Sequence, residues 1–152
     1  METSPCAVQI KIINDHIERE INNALREQNL TAVQIRVLIL LQCAKDHMMS
    51  LKEVERHLHV SQPTAAGIVS RLEQKEYVCS MTCEEDRRIK LLKLTQAGLA
   101  QCAIAIEKAG RTEQRLIEFL GDEDYAQLGI LLGKTMDALG IVPCAQKRDI
   151  QE

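Results

Sequence analysis

The sequence predicts a mainly α fold with one small β-hairpin, an α+β arrangement in a single domain of 152 residues. The composition is 45% hydrophobic and 27% charged with only 7 Gly and 3 Pro, which is typical of helical globular proteins. Apolar residues recur at three- and four-residue spacing over most of the chain, as they do on one face of an amphipathic helix. Residues 77–95 depart from that spacing and form two short β-rich runs around a charged loop.

A first amphipathic helix is predicted over residues 5–29, and a second follows a start signal at Thr31. Isoleucines repeat through the first segment at positions that share one helix face. Thr31 and Gln34 form a capping box, in which the hydroxyl accepts a backbone N–H while Gln34 reaches back to the N-cap residue. This box opens the apolar run IRVLILLQCA, so a buried second helix is expected here.

Two further start signals predict a helix, a short turn and another helix at about residues 50–74. Ser50 and Glu53 form a second capping box. Ser61 is predicted to cap the next helix, and Pro63 is tolerated in its first turn, where the N–H groups have no helical partner. This helix begins with the small residues of SQPTAAG and becomes apolar only at Ile68.

The remaining chain is predicted to form the hairpin and two long helices. YVCSMTC and LLKLT are the β-rich runs, and EEDRRIK is the charged loop between them. Thr95 can cap a long helix after the hairpin, and Gly121 interrupts the apolar stripe of that section. Acidic residues at 122–124 then open the last helix, because the helix dipole favours acids in a first turn.

A helix-turn-helix followed directly by a hairpin is the order of a winged helix-turn-helix, here over residues 31–95 with the wing at about 77–95. In that fold the second helix enters the DNA major groove with its N-terminus first, and small side chains there let the backbone approach the base edges. The alternative is a helical hairpin whose small residues only mark close packing. The predicted DNA-binding residues are Ser61, Gln62, Pro63, Thr64, Ala65, Ala66, Ser70 and Arg71 in the helix, and Arg87, Arg88 and Lys90 in the wing.

The charge distribution favours a local contact with DNA over a general one. The chain carries 19 Lys and Arg against 22 Asp and Glu, a formal net charge of −3. Nonspecific affinity comes from neutralising phosphates, so this balance argues against a protein that coats nucleic acid. Residues 50–95 carry eight basic and seven acidic side chains, a charge of +1, so the middle of the chain is its electropositive part.

Three stretches carry a family resemblance: LTAVQIRVL, SQPTAAGIVSRLEQK and DRRIKLLKLTQAG. In the third, Asp86 and Arg88 precede a strand that ends in Leu94 and Thr95, and Gly98 follows. In this order and spacing the chain resembles the MarR family of bacterial winged-helix transcription regulators, over nearly its whole length. The resemblance implies a repressor in which Asp86 supports the wing and Arg88 enters the minor groove.

The same resemblance implies partners for the chain. They are double-stranded DNA with a pseudo-palindromic operator, a second copy of the chain, and a small aromatic or phenolic effector. Residues 5–29 and 97–140 would form the helices of a homodimer. Glu76 stands where many relatives have Gly, and Ala66 and Gly67 stand where relatives are often polar or basic, so the operator sequence cannot be transferred from another member.

No enzymatic activity, cofactor or metal site is predicted. The sequence has no glycine-rich phosphate loop, nucleophile elbow or carboxylate pair suited to catalysis. Cys79 and Cys83 could join His57 and His59 in a metal cluster, but the paired spacing of a zinc site is missing.

Six cysteines without a secretory signal predict reduced thiols, a cytoplasmic location and no membrane segment. Two alternative functions remain open. One is a winged-helix module that binds a protein partner instead of DNA. The other is a thiol-based redox sensor that uses Cys6, which lies in the region where some MarR-like proteins carry a peroxide-sensing cysteine.

Overall fold

The computed structural model describes residues 4–83 and 86–141, which form a mostly helical fold with a small antiparallel sheet. Two short 3₁₀ turns lie at Arg26–Gln28 and Lys45–His47. No helix in the described part of the chain is long and apolar enough to span a membrane. The elements are α1 (Cys6–Ala24), α2 (Ala32–Cys43), β1 (Met48–Ser50), α3 (Leu51–Leu58), α4 (Gln62–Gln74), β2 (Val78–Thr82), β3 (Lys90–Leu94), α5 (Gln96–Leu120) and α6 (Asp122–Ala138).

Both predicted capping boxes are present. The backbone N–H of Gln34 donates to the Thr31 hydroxyl at 3.3 Å, and the N–H of Thr31 donates to the Gln34 side chain at 3.1 Å. The N–H of Glu53 donates to the Ser50 hydroxyl at 3.3 Å, and the N–H of Ser50 donates to the Glu53 carboxylate at 2.8 Å. Each box satisfies two N–H groups that a helix start leaves without partners.

The sheet has the strand order β1-β3-β2, with both pairs antiparallel. β2 and β3 form the predicted hairpin, in which Val78 lies opposite Leu94. The third strand, β1, was not predicted. It places Met49 opposite Leu92 and covers the other edge of β3.

The hydrophobic core lies between α2, α3, α4, the sheet and the first half of α5. Neither α1 nor α6 contains a buried residue. The largest fully buried side chains are Leu25, Leu38, Leu41, Leu72, Leu92, Val37, Val54, Val69 and Cys102.

A close backbone contact fixes where α5 begins relative to the hairpin. Glu76 follows α4 in the left-handed region with φ 59°, a conformation that costs a non-glycine residue about 1–2 kcal/mol. The Thr95 hydroxyl donates to the Glu76 carbonyl at 2.7 Å and also caps α5 by accepting from the Gly98 N–H at 3.0 Å. A Cβ at Gly98 would lie 2.3 Å from the Tyr77 carbonyl oxygen, so only glycine fits this approach.

Candidate nucleic-acid interface

The turn between α3 and α4 is tight because α3 ends in a left-handed residue. His59 has φ 54°, and the N–H of Val60 donates back to the Glu55 carbonyl at 3.3 Å. Ser61 then occupies the N-cap position of α4, as predicted, but its side chain does not cap the helix. Its hydroxyl lies 2.9 Å from the Thr64 hydroxyl instead, so the two form one exposed polar pair.

The first turn of α4 faces solvent, while the opposite side of the helix enters the core. The buried positions recur at helical spacing and include Ile68, Val69 and Leu72. A Cβ added at Gly67 would have no heavy atom within 4 Å, so this position is open to solvent. The exposed positions include Ser61, Gln62, Pro63, Thr64, Ala66, Ser70 and Arg71, all of which were predicted to contact DNA.

The prediction for Ala65 is wrong. Its side chain is fully buried, because it falls on the same helix face as Ile68, Val69 and Leu72. Its small volume lets the start of α4 pack closely against the core, and its side chain has no exposed surface that could contact DNA. Of Ala65, Ala66 and Gly67, only Ala66 and Gly67 lie on the exposed face of α4.

The wing tip is shaped by Asp86. Its carboxylate accepts the backbone N–H of Arg88 at 2.9 Å, and its carbonyl accepts the N–H of Ile89 at 3.0 Å. These bonds form a local turn that presents Arg87 and Arg88 to solvent. Within the described residues, neither arginine side chain takes part in an ion pair.

Lys90 lies at the base of the wing loop, and its ammonium group already has a partner. It lies 3.3 Å from a carboxylate oxygen of Glu73, in the last turn of α4. The Ser80 hydroxyl, on β2, donates to the other oxygen of the same carboxylate. The sequence did not predict a role for Glu73 or Ser80, because the sequence around Lys90 does not show which side chain of α4 its ammonium group contacts.

The cysteines differ in their surroundings. Cys6 is the first residue of α1 and is exposed, and Cys79 on β2 is also exposed. Cys102 is fully buried in α5, and burial, with a smaller contribution from Cys43, raises the pKa of its thiol to about 11. Cys102 is therefore a protonated, unreactive thiol at neutral pH.

Comparisons with known proteins agree with the geometry of this interface. The sequence model of the MarR family matches residues 30–90, the stretch from the start of α2 to the wing. The multiple antibiotic resistance protein MarR of Salmonella typhimurium is 29% identical over 136 residues, which cover 89% of this chain and 93% of that protein. The chain is similar to MarR-family transcription regulators.

Solved structures extend this MarR-family similarity to three dimensions. The crystal structure of wild-type MarR from E. coli in its apo form superposes with a TM-score of 0.80 at 28% identity, over 90% of this chain and 99% of that one. A mutant of MarR from E. coli was solved in complex with operator DNA. It matches with a TM-score of 0.74 at 28% identity, over 88% of this chain and 94% of that one.

Proposed function

We propose that the chain is a homodimeric, sequence-specific repressor of the MarR family that binds DNA at a pseudo-palindromic operator. The observation that carries the proposal is the asymmetry of α4. Its first turn exposes Gln62 and Thr64, whereas Ile68, Val69 and Leu72 anchor the opposite face in the core. A helix held in this way can present its N-terminal turn to base edges in a major groove, and helix N-termini favour a nearby phosphate.

The wing is proposed to make the second DNA contact. The turn at Asp86 projects Arg88 beyond the sheet, where its guanidinium can enter a minor groove narrowed by A·T base pairs. Arg87 is exposed beside it and suits a phosphate contact, which positions the protein without reading sequence. Glu84 and Glu85, in the same loop, lie outside the described residues.

A second copy of the chain is proposed to cover the terminal helices. Exposed apolar side chains lie along α1, α5 and α6, and Phe119 is 93% exposed. Five of these side chains also line a groove of about 840 Å³ between these helices, namely Ile12, Ile13, Phe119, Leu120 and Leu128. Contiguous apolar surface of this kind marks a protein interface, and a two-fold dimer would place two recognition helices on one duplex.

A cavity between α1 and α5 supports the small-molecule effector. It has a volume of about 530 Å³ and is lined by apolar Ile21, Leu25 and Ala105 together with Lys108 and Arg111. Apolar walls suit an aromatic ring, and the cations suit a carboxylate, although Glu20 and Glu27 also line the cavity. Lys108 already donates to the Ala24 carbonyl and, at 3.1 Å, to the Gln28 side chain, which leaves Arg111 as the more available cation. α5 packs against α2 of the winged lobe (residues 31–95) and against the terminal helices α1 and α6. An acid bound here could therefore change the angle between the winged lobe and the terminal helices.

The test compares two glutamines of the same helix, Gln62 in its first turn and Gln74 in its last. Fluorescence anisotropy would measure binding to a duplex from upstream of the gene and to a scrambled duplex, at two salt concentrations. We expect Gln62→Ala to lose about 1–3 kcal/mol of discrimination between the two duplexes, the size of one good base contact. Gln74→Ala should change neither affinity.

Equal weakening of both duplexes by Gln62→Ala would show that the residue only positions the helix. Failure of the wild-type chain to prefer any duplex would favour the alternative in which the winged helix binds a protein partner. The redox alternative predicts a different result, namely a large loss of affinity after mild peroxide that Cys6→Ser abolishes.

A further inference from the structure

The inner face of the wing hairpin changes from apolar to polar as it leaves the core. Val78 pairs with Leu94, and Ser80 pairs with Leu92 in the next position on the same face. Val78, Leu92 and Leu94 are buried, whereas Ser80 is exposed. Lys90 continues this face toward the loop, two residues before Leu92. The distal half of the wing therefore has no apolar anchor on this face.

Glu73 supplies a polar anchor at that point. One of its carboxylate oxygens accepts the Ser80 hydroxyl from β2, and the other lies 3.3 Å from the Lys90 ammonium of β3. A single side chain of α4 thus holds both strands of the wing. The side chains of Lys90 and Glu73 are 47% and 29% exposed, and an ion pair as exposed as this contributes little to folding stability.

The hairpin is attached to α4 at two separate points. Its base is fixed by the core and by the Tyr77 N–H, which donates to the Leu72 carbonyl at 3.0 Å. The Glu73 bridge lies farther along the strands, at Ser80 and Lys90. The pairing of β1 with β3 from Leu91 to Lys93 also holds the base of the wing, so the Glu73 bridge is the contact that ties the part of the hairpin nearest the loop to α4.

We propose that Glu73 is a positioning residue that sets the angle between the wing and the recognition helix α4. This inference rests on the proposed function, in which α4 and Arg88 contact different grooves of one duplex. The bridge holds the wing so that both contacts form together, and it neutralises Lys90 at the same time. Loss of Glu73 should therefore weaken the reading of the minor groove while leaving nonspecific attraction to phosphate equal or stronger.

The experiment uses the full chain and three duplexes, which carry the same half-sites with A·T-rich flanks, the same half-sites with G·C-rich flanks, or a scrambled sequence. Glu73→Met keeps the length of the side chain and removes both acceptors. We expect it to reduce the preference for A·T-rich over G·C-rich flanks at least threefold, with no loss of affinity for the scrambled duplex. Glu73→Gln keeps one oxygen, which can accept from Lys90, and its amide NH2 can donate to the Ser80 hydroxyl oxygen, so it should retain most of the preference.

Glu76→Gln is the matched control for charge. It removes the same unit of negative charge three residues farther on, from an exposed side chain, and should leave the flank preference unchanged. If Glu76→Gln lowers the preference as much as Glu73→Met does, the effect is electrostatic and the positioning role is overturned. An unchanged preference in Glu73→Met overturns it as well.

Hydrogen exchange tests the bridge without DNA. In Glu73→Met, the backbone amides of residues 80–83 and 86–91 should exchange faster than in the wild type, and those of α4 should not. Unaltered exchange in the wing overturns the inference. If the wild-type chain shows no flank preference at all, the proposed groove contact of Arg88 fails, and the exchange result still decides whether Glu73 holds the wing.

Discussion

The winged lobe buries most of its Val, Ile, Leu and Met side chains, whereas the terminal helices α1 and α6 leave theirs exposed or half-buried. In the winged lobe, a single helix, α2, buries four apolar side chains, namely Ile35, Val37, Leu38 and Leu41. The terminal helices α1 and α6 bury no residue, although both are rich in isoleucine or leucine. The winged lobe therefore completes its hydrophobic core within one chain, whereas α1 and α6 form no buried core within one chain.

This difference indicates a division of work within one short chain. A lobe with its own core can hold α4 and the wing rigidly, which base-edge contacts require. Helices that expose their apolar faces gain stability only when another surface covers them. On the proposed function that surface belongs to a second copy, so dimerisation and DNA contact are assigned to separate parts of the fold.

A matched pair of leucines gives the largest expected contrast. Leu41→Ala removes a fully buried side chain of α2 and should cost about 2–5 kcal/mol of unfolding free energy at every chain concentration. Leu131 on α6 is 51% exposed, so Leu131→Ala should matter only through the dimer. Its effect on the thermal midpoint should grow as the chain concentration falls. Denaturation at two concentrations checks this, and a concentration-independent loss for Leu131→Ala would contradict it.

Two helical glycines differ in the space around them, Gly98 in the first turn of α5 and Gly67 within α4. Gly98→Ala places a Cβ 2.3 Å from the Tyr77 carbonyl oxygen, so it should lower stability by roughly 1–3 kcal/mol. Gly67→Ala meets no atom within 4 Å and should raise stability by about 1 kcal/mol, because alanine favours a helix. The added methyl at position 67 should nevertheless weaken DNA binding, since it faces the proposed groove. Urea denaturation and DNA titration would separate these effects.

The wing residues carry the smallest and most specific effects. Arg88→Ala should cost more affinity on duplexes with A·T-rich flanks than on those with G·C-rich flanks, because groove width depends on sequence. Lys90→Ala should reduce the salt slope by at most about one unit, as Glu73 already neutralises part of its charge. It should lower the flank preference less than Glu73→Met does, because Ser80 still holds the Glu73 carboxylate. Equal losses for Arg88→Ala on both duplexes would leave that arginine as a backbone contact only.

Local signals in the sequence predicted much of the fold. The capping boxes at Thr31 and Ser50 could be read directly, because donor and acceptor lie three residues apart. Thr95 was likewise predicted to cap α5 from its own position. The left-handed conformation of Glu76 agrees with the glycine that many relatives carry at that place, a hint that comes from the family resemblance and not from the local sequence.

Features that depend on distant partners could not be predicted. β1 has three residues, too few for an alternating pattern, and it exists because it pairs with β3 more than forty residues later. Ala65 was assigned to the wrong side of α4, since a run of small residues does not reveal which of them face the core. The bridge from Glu73 to Lys90 spans 17 residues and follows from how the hairpin packs, which the local sequence does not encode.

The stoichiometry of the DNA complex distinguishes a dimeric regulator from a monomeric one. Sedimentation velocity would be run at micromolar chain concentration, alone and with a labelled duplex from upstream of the gene. We expect a dimer in the absence of DNA and two chains on each duplex. A stable monomer that binds one duplex would contradict this expectation, because the exposed faces of α1, α5 and α6 would then need another partner.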